Sequence, residues 1–148
     1  MTFNPEDYGI ERIGRKHACI GNRSGKPYIR KSFSSDGRYC IYVRLNSKLT
    51  DEFEKVFGQY VGVGFINGNL MFYPEDDLDY AVSISCKDKR HKHTAQINIP
   101  KSMHERLNAL YGDDFMRVPC NWVRHILGGH TCFEFVGEDI IYKKQVVA

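Results

Sequence analysis

The spacing of apolar residues divides this chain into alternating and helical stretches. Ile41-Tyr42-Val43-Arg44-Leu45 and Tyr60-Val61-Gly62-Val63-Gly64-Phe65-Ile66 alternate with period two, as half-buried strands do. Between them Leu49, Phe53, Val56 and Phe57 fall at i, i+4, i+7 and i+8, which is one stripe of a helix. Gly58 follows the last of them, where a left-handed residue commonly stops a helix. Asn46, Ser47 and Thr50 offer capping side chains ahead of Asp51, Glu52 and Glu54, whose carboxylates suit the positive end of a helix. Asn67-Gly68 tolerates the positive dihedrals of a tight hairpin and leads into Asn69-Leu70-Met71-Phe72-Tyr73.

The same text returns 54 residues later. Ile41 to Leu49 lies over Ala95 to Met103, Phe53 over Leu107, Val56 over Leu110, Phe57 over Tyr111 and Gly58 over Gly112. Farther on, Phe65-Ile66 lies over Phe135-Val136 and Leu70 to Phe72 over Ile140 to Tyr142. The shift has grown to 70, so 16 residues are expected as an insertion at about 118–132. Strands at Tyr28–Phe33 and Tyr80–Cys86 open the two units, and an acidic linker, Pro74 to Asp79, separates them. The expected organisation is a basic arm at 1–25 and a single domain over 26–148, made of repeats at 26–74 and 80–144. The fold class is α+β, a β-rich pseudo-two-fold barrel of two strand-helix-hairpin repeats.

Composition agrees with a sheet-dominated interior. Ile, Val, Phe and Tyr total 40 of the 148 residues, against 12 for Leu and Ala together. No window approaches the roughly 18 apolar residues of a membrane span, and the amino terminus lacks the apolar core of a secretory signal. Five cysteines without a framework rhythm read as reduced thiols in a cytoplasmic protein.

The net charge of +3 is unevenly distributed. From Arg12 to Ser35 there are Arg12, Arg15, Lys16, Arg23, Lys26, Arg30 and Lys31 and no carboxylate. Lys87, Lys89, Arg90 and Lys92 crowd the turn before the second unit. In a pseudo-symmetric barrel these loops are expected on one face. Phosphates are attracted to such a surface through counterion release, so Arg15, Arg23, Arg30, Arg38, Lys89 and Arg90 are candidate nucleic-acid contacts. The competing readings are a solvated face that maintains solubility and a docking face for an acidic protein. Tyr28, Phe33, Tyr39 and Tyr42 interleave with the basic residues, either as stacking platforms or as core.

The residues from Gln96 to Gly112, with Ile99-Pro100-Lys101 ahead of an apolar-patterned helix, and the closing Ile140-Ile141-Tyr142-Lys143-Lys144 carry a resemblance. The chain resembles the swapped-hairpin DNA-binding proteins of the AbrB and MraZ families over about 55 residues of its second unit, and more faintly over the first. That resemblance implies a barrel of interlocked hairpins that contacts DNA. The chain departs from the family pattern at Asn46-Ser47-Lys48, which replaces Pro-Lys in the first unit, in the insertion, and in the added arm.

The insertion itself offers two other chemistries. Trp122, Arg124 and His125 are candidate contacts for a protein partner, since a loop with an aromatic and two glycines suits recognition. Cys120, His125, His130 and Cys132 are four possible zinc ligands within thirteen residues, without the paired spacing of a zinc motif. No dinucleotide fingerprint or nucleophile motif is present, so the expectation is a binding protein rather than an enzyme, with no cofactor. DNA and possible protein partners are expected, no membrane, and a monomer or homodimer.

Overall fold

The computed structural model describes residues 5–8, 25–85 and 94–143. The strands are β1 (Tyr28–Phe33), β2 (Tyr39–Arg44), β3 (Tyr60–Ile66), β4 (Asn69–Tyr73), β5 (Ala81–Ser85), β6 (Gln96–Asn98), β7 (Phe115–Leu127), β8 (His130–Gly137) and β9 (Ile141–Tyr142). Helix α1 spans Ser47–Phe57. Helix α2 spans His104–Tyr111 and is entered through a 3-10 turn at Lys101–Met103. The chain order is therefore strand, strand, helix, strand, strand, twice over, then β9. Of the expected arm, Pro5–Tyr8 forms a 3-10 turn.

Among the described residues every pairing is antiparallel. The neighbours run β1-β2-β6-β5-β3-β4-β8-β7, and β7 returns to pair with β1, closing an eight-stranded barrel with β9 added beside β7. Closure removes most sheet edges. Val43 pairs with Ile97 across β2–β6, and Phe72 with Phe133 across β4–β8.

The interior is filled by the inward positions of each strand. Ile29, Ile41, Val43, Val61, Leu70, Phe72, Ile97, Val118, Cys120, Phe133 and Phe135 form one buried cluster. Phe53 of α1 sits at its centre, 4.7 Å from the Phe133 ring and 5.3 Å from Phe72. On the outside, the Tyr73 ring covers Gly62 so closely that a Cβ there would come within 2.4 Å of it.

Both helices stop at the expected glycines, but each is rolled on its axis, and only α1 begins with a side-chain cap. Asn46 caps α1 by accepting from the Leu49 amide at 2.8 Å, and Gly58 and Gly112 end the helices at positive φ. Thr50, expected to cap, is instead fully buried, and its Oγ1 accepts from the Ala95 amide at 2.9 Å. His104 occupies the matching place in α2 and donates from Nε2 to the Ile99 carbonyl, at 2.9 Å. A polar residue therefore lies near the middle of each buried face. Val56 and Leu110 are displaced to the margin of the stripe, where both are exposed.

Residues 118–132, expected as an inserted loop, lie in regular structure. They form most of β7, the Gly128-Gly129 turn and the start of β8, paired without a break from Cys120↔Gly137 to Leu127↔His130. Both glycines have positive φ, as the Asn67-Gly68 turn of the first hairpin does. The second hairpin is simply longer, with strands of 13 and 8 residues against 7 and 5.

Candidate nucleic-acid interface

Strand alternation sorts β1 and β2 into two faces. Ile29, Lys31, Ile41 and Val43 point into the barrel, leaving Tyr28, Arg30, Tyr42 and Arg44 outside. The registers place these beside outward residues of β7 and β6. One row across the sheet reads Arg117, Arg30, Tyr42, Asn98, and the next reads Pro119, Tyr28, Arg44, Gln96. Ser32 and Cys40 continue the face toward the β1–β2 turn. No carboxylate stands at any of these positions.

The arginines are held in defined poses. The Arg117 guanidinium lies 4.1 Å from the centre of the Tyr28 ring, which explains how an outward tyrosine is buried. Arg44 donates from Nη2 to the Gln96 side-chain carbonyl at 2.9 Å, and its guanidinium is 5.7 Å from the Tyr42 ring. Gln96 donates in turn to Asn98 at 2.9 Å. Arg30 is exposed and stands directly opposite Arg117. Like charges at directly paired positions disfavour folding. Arg44 lies on the diagonal from Arg30, so three cations converge on one patch. Its margins are marked by Lys26 paired with Glu138 at one end and Arg38 with Asp36 at the other.

Of the residues expected to contact nucleic acid, Arg30 falls on this face and Arg38 on the turn beside it. Arg15, Arg23, Lys89 and Arg90 lie outside the described residues. The first basic segment is described only from Gly25 onward and the second not at all, so their expected placement on one face lies outside the described residues. Lys31, counted in the basic run, is inside the barrel. Its ammonium donates to Asn108 Oδ1 and, at 2.8 Å, to the Asp113 carbonyl, and it faces the rings of Phe115 and Tyr39 at 4.4 and 4.6 Å. Burial lowers its pKa, and the Asp113 and Asp114 carboxylates oppose that shift.

The residues proposed for a protein partner or metal are spread over the second hairpin. Trp122 packs against the core. Arg124 grips Glu52 of α1 through a two-pronged ion pair at 2.5 Å, and His125 bonds Glu134 at 2.8 Å. Cys120 points inward, whereas His125 and Cys132 share the outer face, so the four candidate zinc ligands do not converge. Among the described residues no group of three His, Cys, Asp or Glu is placed to hold a metal. Burial pushes the Cys120 thiol up to about 12 and raises that of Cys132, which keeps both protonated.

Cavities lined by described residues indent the surface. One of about 660 Å³ lies between the β1–β2 turn and α2, lined by Arg38, Tyr39, His104, Asn108 and Asp113 among others. One of about 440 Å³ lies between β3 and the entry to α2, where Arg106 covers the Phe65 ring at 4.0 Å. No helix among the described residues is long and apolar enough to cross a membrane. No protein-family model, curated protein or solved structure matches the chain.

Proposed function

We propose that this protein is a nucleic-acid-binding regulatory protein that works by binding rather than catalysis. The observation that carries the reading is the outer face of β7, β1, β2 and β6, where Arg117, Arg30 and Arg44 stand at neighbouring positions of the sheet. Phosphates are attracted to such a cluster, because each cation that contacts one releases a condensed counterion. The contact surface in this reading is a sheet face, with the β1–β2 turn and Arg38 at its rim.

The barrel is read as a single-chain, pseudo-two-fold relative of the swapped-hairpin DNA-binding proteins. Two features support this: the repeated strand, strand, helix, strand, strand order, and the joining of the two halves through corresponding strands, β2 with β6 and β4 with β8. The chain would then need no second copy to close its barrel.

The test is titration of 20-nucleotide DNA, both duplex and single-stranded, at about 50 mM salt. Either form should bind, and the Arg30→Glu, Arg44→Glu double variant should lose affinity by about a hundredfold while keeping its circular dichroism spectrum. Binding of neither form by the native protein overturns the reading.

One observation favours a protein partner as a second reading. Beyond Cys120, β7 has β8 on one side only among the described residues, and Val123, Ile126 and Leu127 are exposed along it. An open strand edge with apolar side chains is a template for an added strand. Ile126→Asp should then abolish partner capture without altering nucleic-acid affinity.

A further inference from the structure

We infer that the far end of β3 takes up an extended acidic segment of a partner protein as an added strand. This site is separate from the open edge of β7 and does not depend on the nucleic-acid reading above. The first observation is where the ladder stops. β5 pairs with β3 only from Tyr60↔Ser83 to Gly62↔Ala81, and the next residue, Tyr80, has its amide in a turn, donating to the Asp77 carbonyl at 3.0 Å. β3 continues to Ile66 with β4 alone beside it. The Ile84 amide donates to the Gln59 carbonyl at 2.8 Å, so Gln59 turns its backbone groups toward β5, and by alternation so do Val61, Val63 and Phe65. The amides and carbonyls of Val63 and Phe65 therefore face an edge that carries no strand among the described residues. Backbone groups presented in this way are a template for another strand.

The second observation is what lies beyond that edge. The cavity of about 440 Å³ opens there, between β3, the start of β5 and the entry to α2, with Val63, Val82, Pro100 and Met103 as apolar walls. Side chains of an added strand alternate, so every second one is received by this cavity. Arg106 is exposed on its α2 side, with its guanidinium 4.0 Å from the centre of the Phe65 ring, and it forms no ion pair among the described residues. A guanidinium laid flat on a ring keeps its forked N–H edge for a carboxylate. An acidic side chain is therefore matched to the position opposite Phe65, and an apolar one to the position two residues away, opposite Val63. Asp79 lines the β5 side of the same cavity and disfavours a longer run of carboxylates. The segment that fits is extended, with one acidic residue among β-branched neighbours.

Fluorescence anisotropy with the labelled peptide Thr-Val-Thr-Glu-Thr-Val-Thr, which presents the same pattern in either strand direction, tests this against the same peptide with Lys at its centre. The Glu peptide should bind about tenfold more tightly than the Lys peptide. Arg106→Glu should reverse that preference while the circular dichroism spectrum stays unchanged. The backbone contribution is read on the peptide, without altering the protein. Directly opposed residues exchange both hydrogen bonds, so N-methylation of the Glu and Val amides, which face β3, should abolish binding, and N-methylation of the Thr amides should not. Equal affinity for the Glu and Lys peptides overturns the inference, as does a preference that Arg106→Glu leaves unchanged. Equal binding of the two methylated forms also overturns it, because no strand would then have been added. A dimer in sedimentation that the Glu peptide dissociates assigns the edge to a second copy of the chain and overturns it as well. A Glu peptide that binds more weakly than about 1 mM overturns it outright, whatever the nucleic-acid titration shows.

Discussion

Two outer faces of the same barrel treat their polar residues in opposite ways. On β4, β8 and β7 the polar residues satisfy one another. Glu134 accepts from Asn69 at 2.8 Å and bonds His125 at 2.8 Å, with Met71 and Cys132 buried beside it. On β7, β1, β2 and β6 three arginines have neighbouring rings and amides, and no carboxylate stands among them. The first arrangement is complete and stabilises the fold. The second sets Arg30 directly opposite Arg117, a like-charge pairing that by itself disfavours folding.

That contrast is open to perturbation, beginning with the largest effect. Glu134→Ala leaves Asn69 and His125 without their partner in a crowded setting and should cost about 1–3 kcal/mol. Urea denaturation would register the loss, and nucleic-acid affinity should not change. Lys31→Met should come next, in the opposite direction. It replaces a buried ammonium that has neutral oxygens as its direct partners with an apolar chain of similar length, so it should leave stability unchanged or raise it by about 1–2 kcal/mol.

Arg30→Glu should raise stability by roughly 0.2–1 kcal/mol, because the substitution turns a like-charge pair with Arg117 into an opposite-charge pair. The same variant should bind nucleic acid more weakly. A loss of stability would assign Arg30 a structural role and erase the distinction between the faces.

Smaller still is the acid dependence of the self-satisfied face. Hydrogen bonds from Asn69 and then His125 hold Glu134 below the usual carboxylate range. A carboxylate with a depressed folded pKa contributes stability that is fully present above its unfolded value, near 4.5. The contribution fades as pH falls through the lower folded pKa, because protonation then favours the unfolded chain. Denaturation midpoints measured from pH 7 to pH 3 should decline in the native protein and decline less in Glu134→Gln.

Much of the barrel could be read from the chain alone. Period-two alternation located β1 to β4, the Asn67-Gly68 turn was plain, and Gly58 and Gly112 marked both helix ends. The long second hairpin was missed because its pattern, from Phe115 to Leu127, mixes Pro119, Arg124 and His125 into an apolar strand. The Gly128-Gly129 pair was a usable hairpin signal. The alternation of β1 carries the signal that sets Lys31 with Ile29 on the inward face and Arg30 with Tyr28 outside, but a basic run read as one surface hides it, and the tyrosines alone leave core and surface open. What no local pattern conveys is the pairing of β1 with β7, nearly ninety residues apart, which brings Arg117 beside Arg30. The site was therefore legible strand by strand but not as a surface.

The most direct test of the arginine face is the salt dependence of single-strand affinity for the native protein and for Arg30→Gln, Arg44→Gln. Three arginines on phosphates predict a slope of about −2 in log affinity against log salt, at roughly −0.7 per contact, falling below about −1 in magnitude in the variant. Equal slopes in the two proteins, or native affinity indifferent to salt, would contradict the account.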